Sequence, residues 1–372
     1  VTATLPERQR RRADLRRVGG PVPPVEPEVV RPTGARTRED VYTLAGAAAA
    51  SLATTWIFYA QVFPFSGAIG FTVCWYAVFV GYYALLTSLA HPRPVVVDRV
   101  VATAVIGAPT LVGVALASVV VMTLLKGLPA LTHLTFFTQD MSGVQPDADF
   151  DSGGIVHAII GTLIEVAIAI GIALPLGVAT AVYMSEVGGR TARLVRTVVE
   201  AMTALPSIVA GLFIYTIFLV RFGFPASGLV AGLALAVMAL PIMARAAYVV
   251  LGVVPGGLRE ASYALGATQW QTVWRVVLPT ARPGLATALI LGIARAVGET
   301  APVLLTSGAS TFTNVNPFKD PMNSLPLFIY TAITSGVPQQ AGRAYGAAAV
   351  LLVLVLTLFV VARLVAGGRK SR

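Results

Sequence analysis

Eight runs of apolar residues divide this chain, at about 42–62, 68–90, 99–125, 155–184, 201–220, 228–251, 284–306 and 344–366. Each is long enough to cross a hydrocarbon core of roughly 30 Å. Backbone inside lipid has no water to bond to, so a crossing segment must satisfy its own amides as a helix or join a closed barrel. No ten-residue alternation of polar and apolar side chains marks the strands of a barrel. The expectation is an all-α polytopic membrane protein with about eight transmembrane helices. Of the 372 residues, 56% are hydrophobic and 12% charged, a balance that excludes a soluble domain.

The formal net charge of +10 raises nucleic acid as a partner, but the basic residues lie in the gaps between apolar runs and at the two ends. That distribution is a topology signal, so no nucleic acid is expected. The stretch Arg8–Arg17 suits anionic lipid headgroups better. Arginine is dense before Val41 and recurs in alternate connections as Arg93, Arg190, Arg193, Arg196, Arg259, Arg275 and Arg282. The other connections carry only Lys126, Arg221, Lys319 and Arg343. Both termini and the segment 258–283 are therefore expected in the cytoplasm. Residues 1–41, rich in Arg, Pro and Glu, read as a disordered basic tail. They lack the apolar core and cleavage site of a signal peptide, so none is expected to be removed. The loops 126–154 and 307–343 then lie outside, either as solvated connections or as a face for an external binding protein.

Charges inside a span cost about 2.5–3.5 kcal/mol on insertion scales, which makes them the first candidates for function. Arg295 and Glu299 fall in the run 284–306 at i, i+4 spacing, on one helical face. They can neutralise each other as a structural pair. Alternatively, Arg295 offers a planar fork of donors to a tetrahedral oxyanion while Glu299 accepts a hydrogen bond from it. The second task discriminates: phosphate near neutral pH still carries a proton to donate and sulfate does not. Arg245, after Pro241, is a second cation that either draws an anion or snorkels to the interface. Glu165 can line a cavity or bond to a neighbouring helix. Pro175, Pro206 and Pro302 each bend a span, as in broken pathway helices, or serve packing alone. Cys74 reads as a small buried hydrophobe, and His91, His133 and His157 show no metal-ligand spacing. No lysine completes a G-x-x-x-x-G-K-[ST] loop, so ATP chemistry must come from elsewhere, and neither cofactor nor metal is expected in this chain.

The polar segment 258–283, LREASYALGATQWQTVWRVVLPTARP, is the most specific pattern. Taken alone, it offers a helix over Gly257–Gln271 with Leu258, Ala261 and Leu265 at helical spacing and Glu260 near its start, where the dipole favours an anion. Gly266 permits a sharp turn or a close backbone approach, and Pro279 is expected to stop the next run. Two short helices at an angle would make a knob for a partner's groove. Glu260, Ala261, Gly266, Val276, Leu278 and Pro279 resemble the cytoplasmic coupling loop of ABC importer permeases, with Ser262 replacing the third small residue and Val276 an isoleucine.

With ARAVGETAPVL after the loop and ALPSIVAGLF at 204–213, the chain over about 155–366 resembles the PstA-type permease family of bacterial phosphate transporters. The resemblance implies a type I ABC importer permease core in a bacterial cytoplasmic (inner) membrane, without ATPase activity of its own. The implied partners are a second, PstC-type permease, a PstB-type ATPase dimer that binds ATP and Mg, a PstS-type extracytoplasmic phosphate-binding protein, inorganic phosphate and membrane lipid. The family's pathway arginines match Arg245 and Arg295, and Glu299 follows from its GET string. Two departures stand out. After the first arginine this chain reads RAAYVVL where the family has an acidic, threonine-containing stretch, and 42–98 looks like an added two-helix hairpin before a 99–372 core. A permease for another oxyanion, sulfate or molybdate, and a phosphate-sensing scaffold are the competing readings.

Overall fold

A computed structural model describes residues 38–59 and 67–367. Among them the chain is helical, with only an isolated bridge between Gly308 and Met322. The elements are α1 (Arg38–Ile57), α2 (Ala68–Ala90), α3 (Arg93–Leu131), α4 (Thr135–Thr138), α5 (Val156–Val182), α6 (Gly189–Thr203), α7 (Ser207–Ile214), α8 (Gly228–Val253), α9 (Gly256–Ala264), α10 (Gln269–Thr272), α11 (Leu278–Val297), α12 (Ala301–Thr306), α13 (Leu325–Thr334) and α14 (Pro338–Gly367). The tail residues 1–37 lie outside the described residues, and α1 already begins at Arg38.

The described residues contain six helices long and apolar enough to span a membrane, or seven if the pair Gly189–Thr203 and Ser207–Arg221, bent by 103°, counts as one. Eight were expected. Residues 60–62 of the first run lie outside the described residues; its described part, α1, opens with Arg38, Glu39 and Asp40, leaving an apolar remainder shorter than the roughly 20 residues a span needs. The run at 201–220 is not a straight helix. Pro206 forces extended backbone between α6 and α7, with ψ 136° at its own position, and the chain turns there.

One compact unit comprises the described residues up to Gly113. Within it α1 packs on α2, with the Thr54 and Tyr82 hydroxyls 3.1 Å apart and Ala47, Ser51 and Thr55 buried. Tyr76 donates to the Thr103 carbonyl (3.0 Å), and Arg99 pairs with Asp40. Cys74, expected to be buried, is exposed on α2. The face it occupies is one that an apolar thiol can present to lipid.

The second unit runs from Val114 to the end. Its axis is α8, where Ala231, Ala234, Ala239, Ala244 and Ala247 are fully buried. Small residues let neighbouring backbones approach, the way helices pack where lipid removes the hydrophobic drive. A Cβ on Gly232 would lie 2.7 Å from Ile168 Cγ2, and one on Gly177 would lie 3.1 Å from Met243 Cβ. Contacts 168–232 and 177–243 advance together, so α5 and α8 are parallel neighbours. The chain between them must therefore cross back, and only the bent pair is available to do so. Its second limb, Ser207–Arg221, makes that crossing. On the other side, a Cβ on Gly284 would meet Val250 and one on Gly292 would meet Met243, so α11 runs antiparallel to α8. Segments 183–206 and 254–268 consequently share one face of the bundle, and 139–155 and 307–324 share the other.

Lipid is the solvent this surface needs. In α14 Val353 and Leu356 are 62% and 63% exposed, and in α3 Leu125 is 62% exposed, with no polar face opposite.

Candidate functional site

The expected continuous span 284–306 is broken. α11 ends at Val297, Gly298–Thr300 leave the helix, and α12 begins at Ala301 with Pro302 in its first turn. Proline at that place lacks only an amide that has no helical partner anyway, and it disfavours helix at the residue before it. The break puts Arg295 in the last turn of α11 and Glu299 just ahead of α12, each charge at the dipole end that suits it. They pair: Arg295 Nη2 lies 2.7 Å from Glu299 Oε1. The pair is lopsided, with the arginine side chain 49% exposed and the glutamate 9%. One carboxylate oxygen is thus committed to Arg295, while the guanidinium keeps open donors facing away from the chain's own packing.

Arg245 sits in the helix that is otherwise the most buried, yet it is exposed. Met243 marks the crossing of α8 on Gly292 of α11. Since the helices are antiparallel, Arg245 lies about 3 Å along the axis to the 254–268 side of that crossing and Arg295 about 4.5 Å to the other side, at 1.5 Å per residue. Two cations are therefore staggered by roughly 7–8 Å along the bundle axis. Glu165 is fully buried and lines no open cavity. Its Oε1 accepts from Ser307 Oγ (2.7 Å), which also contacts the Met322 carbonyl oxygen, and its Oε2 is buried without a partner. The contact is to the segment after α12 rather than to a neighbouring helix.

That outer segment is not a solvated connection. Asn323 and Ser324 are buried, and the Leu325 amide donates to Thr162 Oγ1 (2.7 Å). Arg343, counted above only as a weak topological charge, is fully buried, with Nη2 2.9, 2.8 and 2.9 Å from the carbonyl oxygens of Ala148, Asp149 and Ser152. Asp140 accepts from the Ser142 amide (3.1 Å) and from the amide and hydroxyl of Thr313 (both 2.9 Å). Burial pushes the Asp140 carboxyl up, but these bonds outweigh it and hold the group below its ordinary value of 3.8. The segments 139–155 and 307–324 are one sewn layer.

On the opposite face, the expected Gly257–Gln271 helix divides. α9 ends at Ala264, Gly266 takes φ +81°, and Thr268 opens α10 with a capping box to Gln271. A Cβ on Gly266 would meet nothing within 4 Å, so this glycine serves the turn and not a close approach. Pro279 does not stop the following run. Gln269–Val297 is one helix, because the π turn Val273–Val277 loosens the coil where Pro279 lacks an amide and crowds the carbonyl four residues back. Glu260, Ala261 and Gly266 are all exposed on the resulting corner, and Leu265 is 89% exposed. Leu278 and Pro279 belong elsewhere: Leu278 packs on the buried cluster of Leu251, Val254 and Val277, about 14 Å along the helix from Gln269. An apolar, glycine-turned corner with Glu260 beside it is built to be covered.

Residues 173–369, more than half of the chain, match the family described as "Binding-protein-dependent transport system inner membrane component". The chain belongs to this family. As such a component it has a multi-pass helical core. Among its relatives, the "Phosphate transport system permease protein PstA 1" of Mycobacterium tuberculosis (strain CDC 1551 / Oshkosh) is 42% identical over 243 residues, 64% of this chain and 79% of that protein. The "Phosphate transport system permease protein PstA" of Haemophilus influenzae is 34% identical over 241 residues, 64% of this chain and 83% of that protein. A solved inward-facing MetNI methionine ABC transporter chain aligns at 24% identity and a TM-score of 0.44, over 58% of this inner membrane component and 94% of that chain.

Proposed function

We propose that the chain is the permease subunit of an ATP-driven importer of inorganic phosphate, forming half of a translocation path between itself and a second, PstC-type permease. The observation that carries the reading is the exposed Arg245 and the half-exposed Arg295, staggered at the α8–α11 crossing of a bundle whose relatives are named phosphate permeases. An oxyanion passing that surface exchanges hydration for charge-assisted bonds from two guanidinium forks. Glu299, bound to Arg295, limits the pathway to anions able to donate a proton-borne hydrogen bond. The 254–268 face, where Arg190, Arg193, Arg196 and Arg259 gather, is assigned to the cytoplasm together with the C-terminus.

Work enters at the 258–283 corner. A PstB-type ATPase dimer, carrying ATP and Mg, closes on ATP and seats the α9–α10 corner in its groove. The permeases then open outward toward a PstS-type binding protein, and hydrolysis returns them inward. Transport requires that ATP and phosphate each bind the two conformations with different affinity; equal affinities would transmit nothing.

The test is uptake of radiolabelled phosphate into proteoliposomes holding the assembled complex, with excess unlabelled sulfate and with Arg295→Ala and Arg295→Lys in parallel. Uptake that resists sulfate, vanishes in Arg295→Ala and is impaired in Arg295→Lys supports the assignment. Uptake blocked by sulfate or molybdate makes the chain a broader oxyanion permease. An assembled complex that takes up nothing, while its deletion still alters phosphate-responsive signalling, makes it a sensing scaffold.

A further inference from the structure

On the face that carries the coupling corner, three segments of the chain meet at one guanidinium. Arg259 lies in α9, next to the outward-facing Glu260, and turns the other way. Its Nε and Nη2 donate to Glu186 Oε1 (3.2 and 2.9 Å), Nη1 donates to the Val254 carbonyl (2.7 Å), and Nη2 also donates to the Leu251 carbonyl (3.0 Å). Ser185 Oγ donates to the same carboxylate oxygen (3.1 Å), and Gln269 Nε2 donates to the Glu186 carbonyl (2.7 Å). The side chains are 19% and 6% exposed, so water scarcely screens the pair. The chemistry has a structural origin. α8 ends at Val253, where the Leu251 carbonyl accepts the Val254 amide, and Arg259 adds a second donor to Leu251 and one to the carbonyl of the capping Val254. Glu186 sits in the π turn Tyr183–Val187 that prolongs α5. On its other side α9 is tied to the start of the next helix by the buried Ser262 and Thr272 hydroxyls, 2.9 Å apart.

The covalent route out of α9 is soft by comparison. Pro255, Gly256 and Gly257 precede its side chains, and Gly266 follows them at φ +81°. Glycine backbones at both ends absorb rotation of the helix without passing it on. The backbone turn, with the Ala267 amide 3.2 Å from the Ser262 carbonyl, links α9 to α10, and a displacement of α9 reaches α5 and α8 through side chains.

We propose that Arg259 and Glu186 are positioning residues for transport, a strut that makes α9, α5 and α8 move as one body when the corner is displaced. α8 carries Arg245, so the strut joins the ATPase-facing surface to the helix that presents a pathway cation. The inference rests on the reading of the 258–283 corner as the site where a partner ATPase acts.

The experiment uses the full transporter complex, comparing wild type with Arg259→Met, which keeps the apolar stem, with Arg259→Lys, which keeps the charge, and with Glu186→Gln. Three quantities are read for each: assembled complex recovered with its ATPase, ATP hydrolysed, and phosphate taken up. Arg259→Met is expected to assemble, to hydrolyse ATP, and to lose about tenfold or more in phosphate moved per ATP, within the 5- to 150-fold range common for coupling between sites. Glu186→Gln, which still accepts a bond, and Arg259→Lys, which restores a single donor group, are expected to fall between. Recovery reduced in Arg259→Met with an unchanged phosphate-to-ATP ratio in the surviving complexes would make the contact merely structural and overturn the proposal. An unchanged ratio at full recovery overturns it too. A wild-type chain that binds no ATPase would instead overturn the coupling-corner reading, and this inference with it.

Discussion

At the scale of single residues, the pathway candidates are set by how expensively the chain places charge. Arg295 and Glu299 are legible from the sequence because nothing but function or mutual neutralisation keeps such residues in a span. The structure shows the pairing, at 2.7 Å, with the guanidinium half-exposed. Glu299→Gln separates the roles. It leaves the shape and an acceptor but removes the charge and adds an amide donor, which sulfate can use. Phosphate uptake in proteoliposomes is expected to fall about 10- to 100-fold, the equivalent of one lost charged hydrogen bond of roughly 1.5–3 kcal/mol, and sulfate is expected to become an inhibitor. Unchanged sulfate resistance would remove Glu299 from selectivity. Glu165 was legible only as an anomaly, since its partner Ser307 lies 142 positions away in the chain. Arg259 was counted as topology alone; its one local signal is a cation adjoining Glu260 shortly after a helix C-terminus.

At the scale of elements, periodicity found the helices and proline placed the breaks with uneven success. Pro206 and Pro302 open new helices, as their geometry favours, whereas Pro175, Pro241 and Pro279 are absorbed inside helices. What distinguishes them is tertiary: Gly211 packs so closely on α12 that its Cβ would stand 2.5 Å from Pro302 Cα, fixing that break. The corner at Gly266 gives the element-scale prediction. The Cβ of Gly266→Trp meets no atom of this chain within 4 Å, and the left-handed backbone costs about 1–2 kcal/mol. Membrane yield and thermal stability of the isolated chain are therefore expected to stay near wild type. ATPase binding and uptake are expected to be lost. Normal uptake by this variant would show that the corner docks nothing.

At the scale of the whole molecule, the layer of 139–155 and 307–324 and the 258–283 corner occupy opposite faces of one bundle, and that layer has a pH limit. The folded-state pKa of Asp140 is depressed, so its contribution is complete above the carboxyl's ordinary value of 3.8 and is lost as pH falls through the lower folded value. Hydrogen exchange at the Thr313 amide, which donates to Asp140, is expected to be unchanged with pH, after correction for intrinsic rates, until the medium is more acidic than pH 3.8. Early loss of protection near neutral pH would mean that another group holds the seam. The amino-acid sequence by itself determined the fold class, the membrane setting, the charged residues of the spans and the coupling pattern, because each follows from local length, spacing or the cost of a charge in lipid. Only the tertiary structure decided that α5 and α8 run parallel, that 284–306 is two helices, that Arg343 sews the outer loops and that Arg259 clasps Glu186. Those facts depend on which small residues meet across helices and on pairings between distant positions, and neither leaves a periodic trace in the chain.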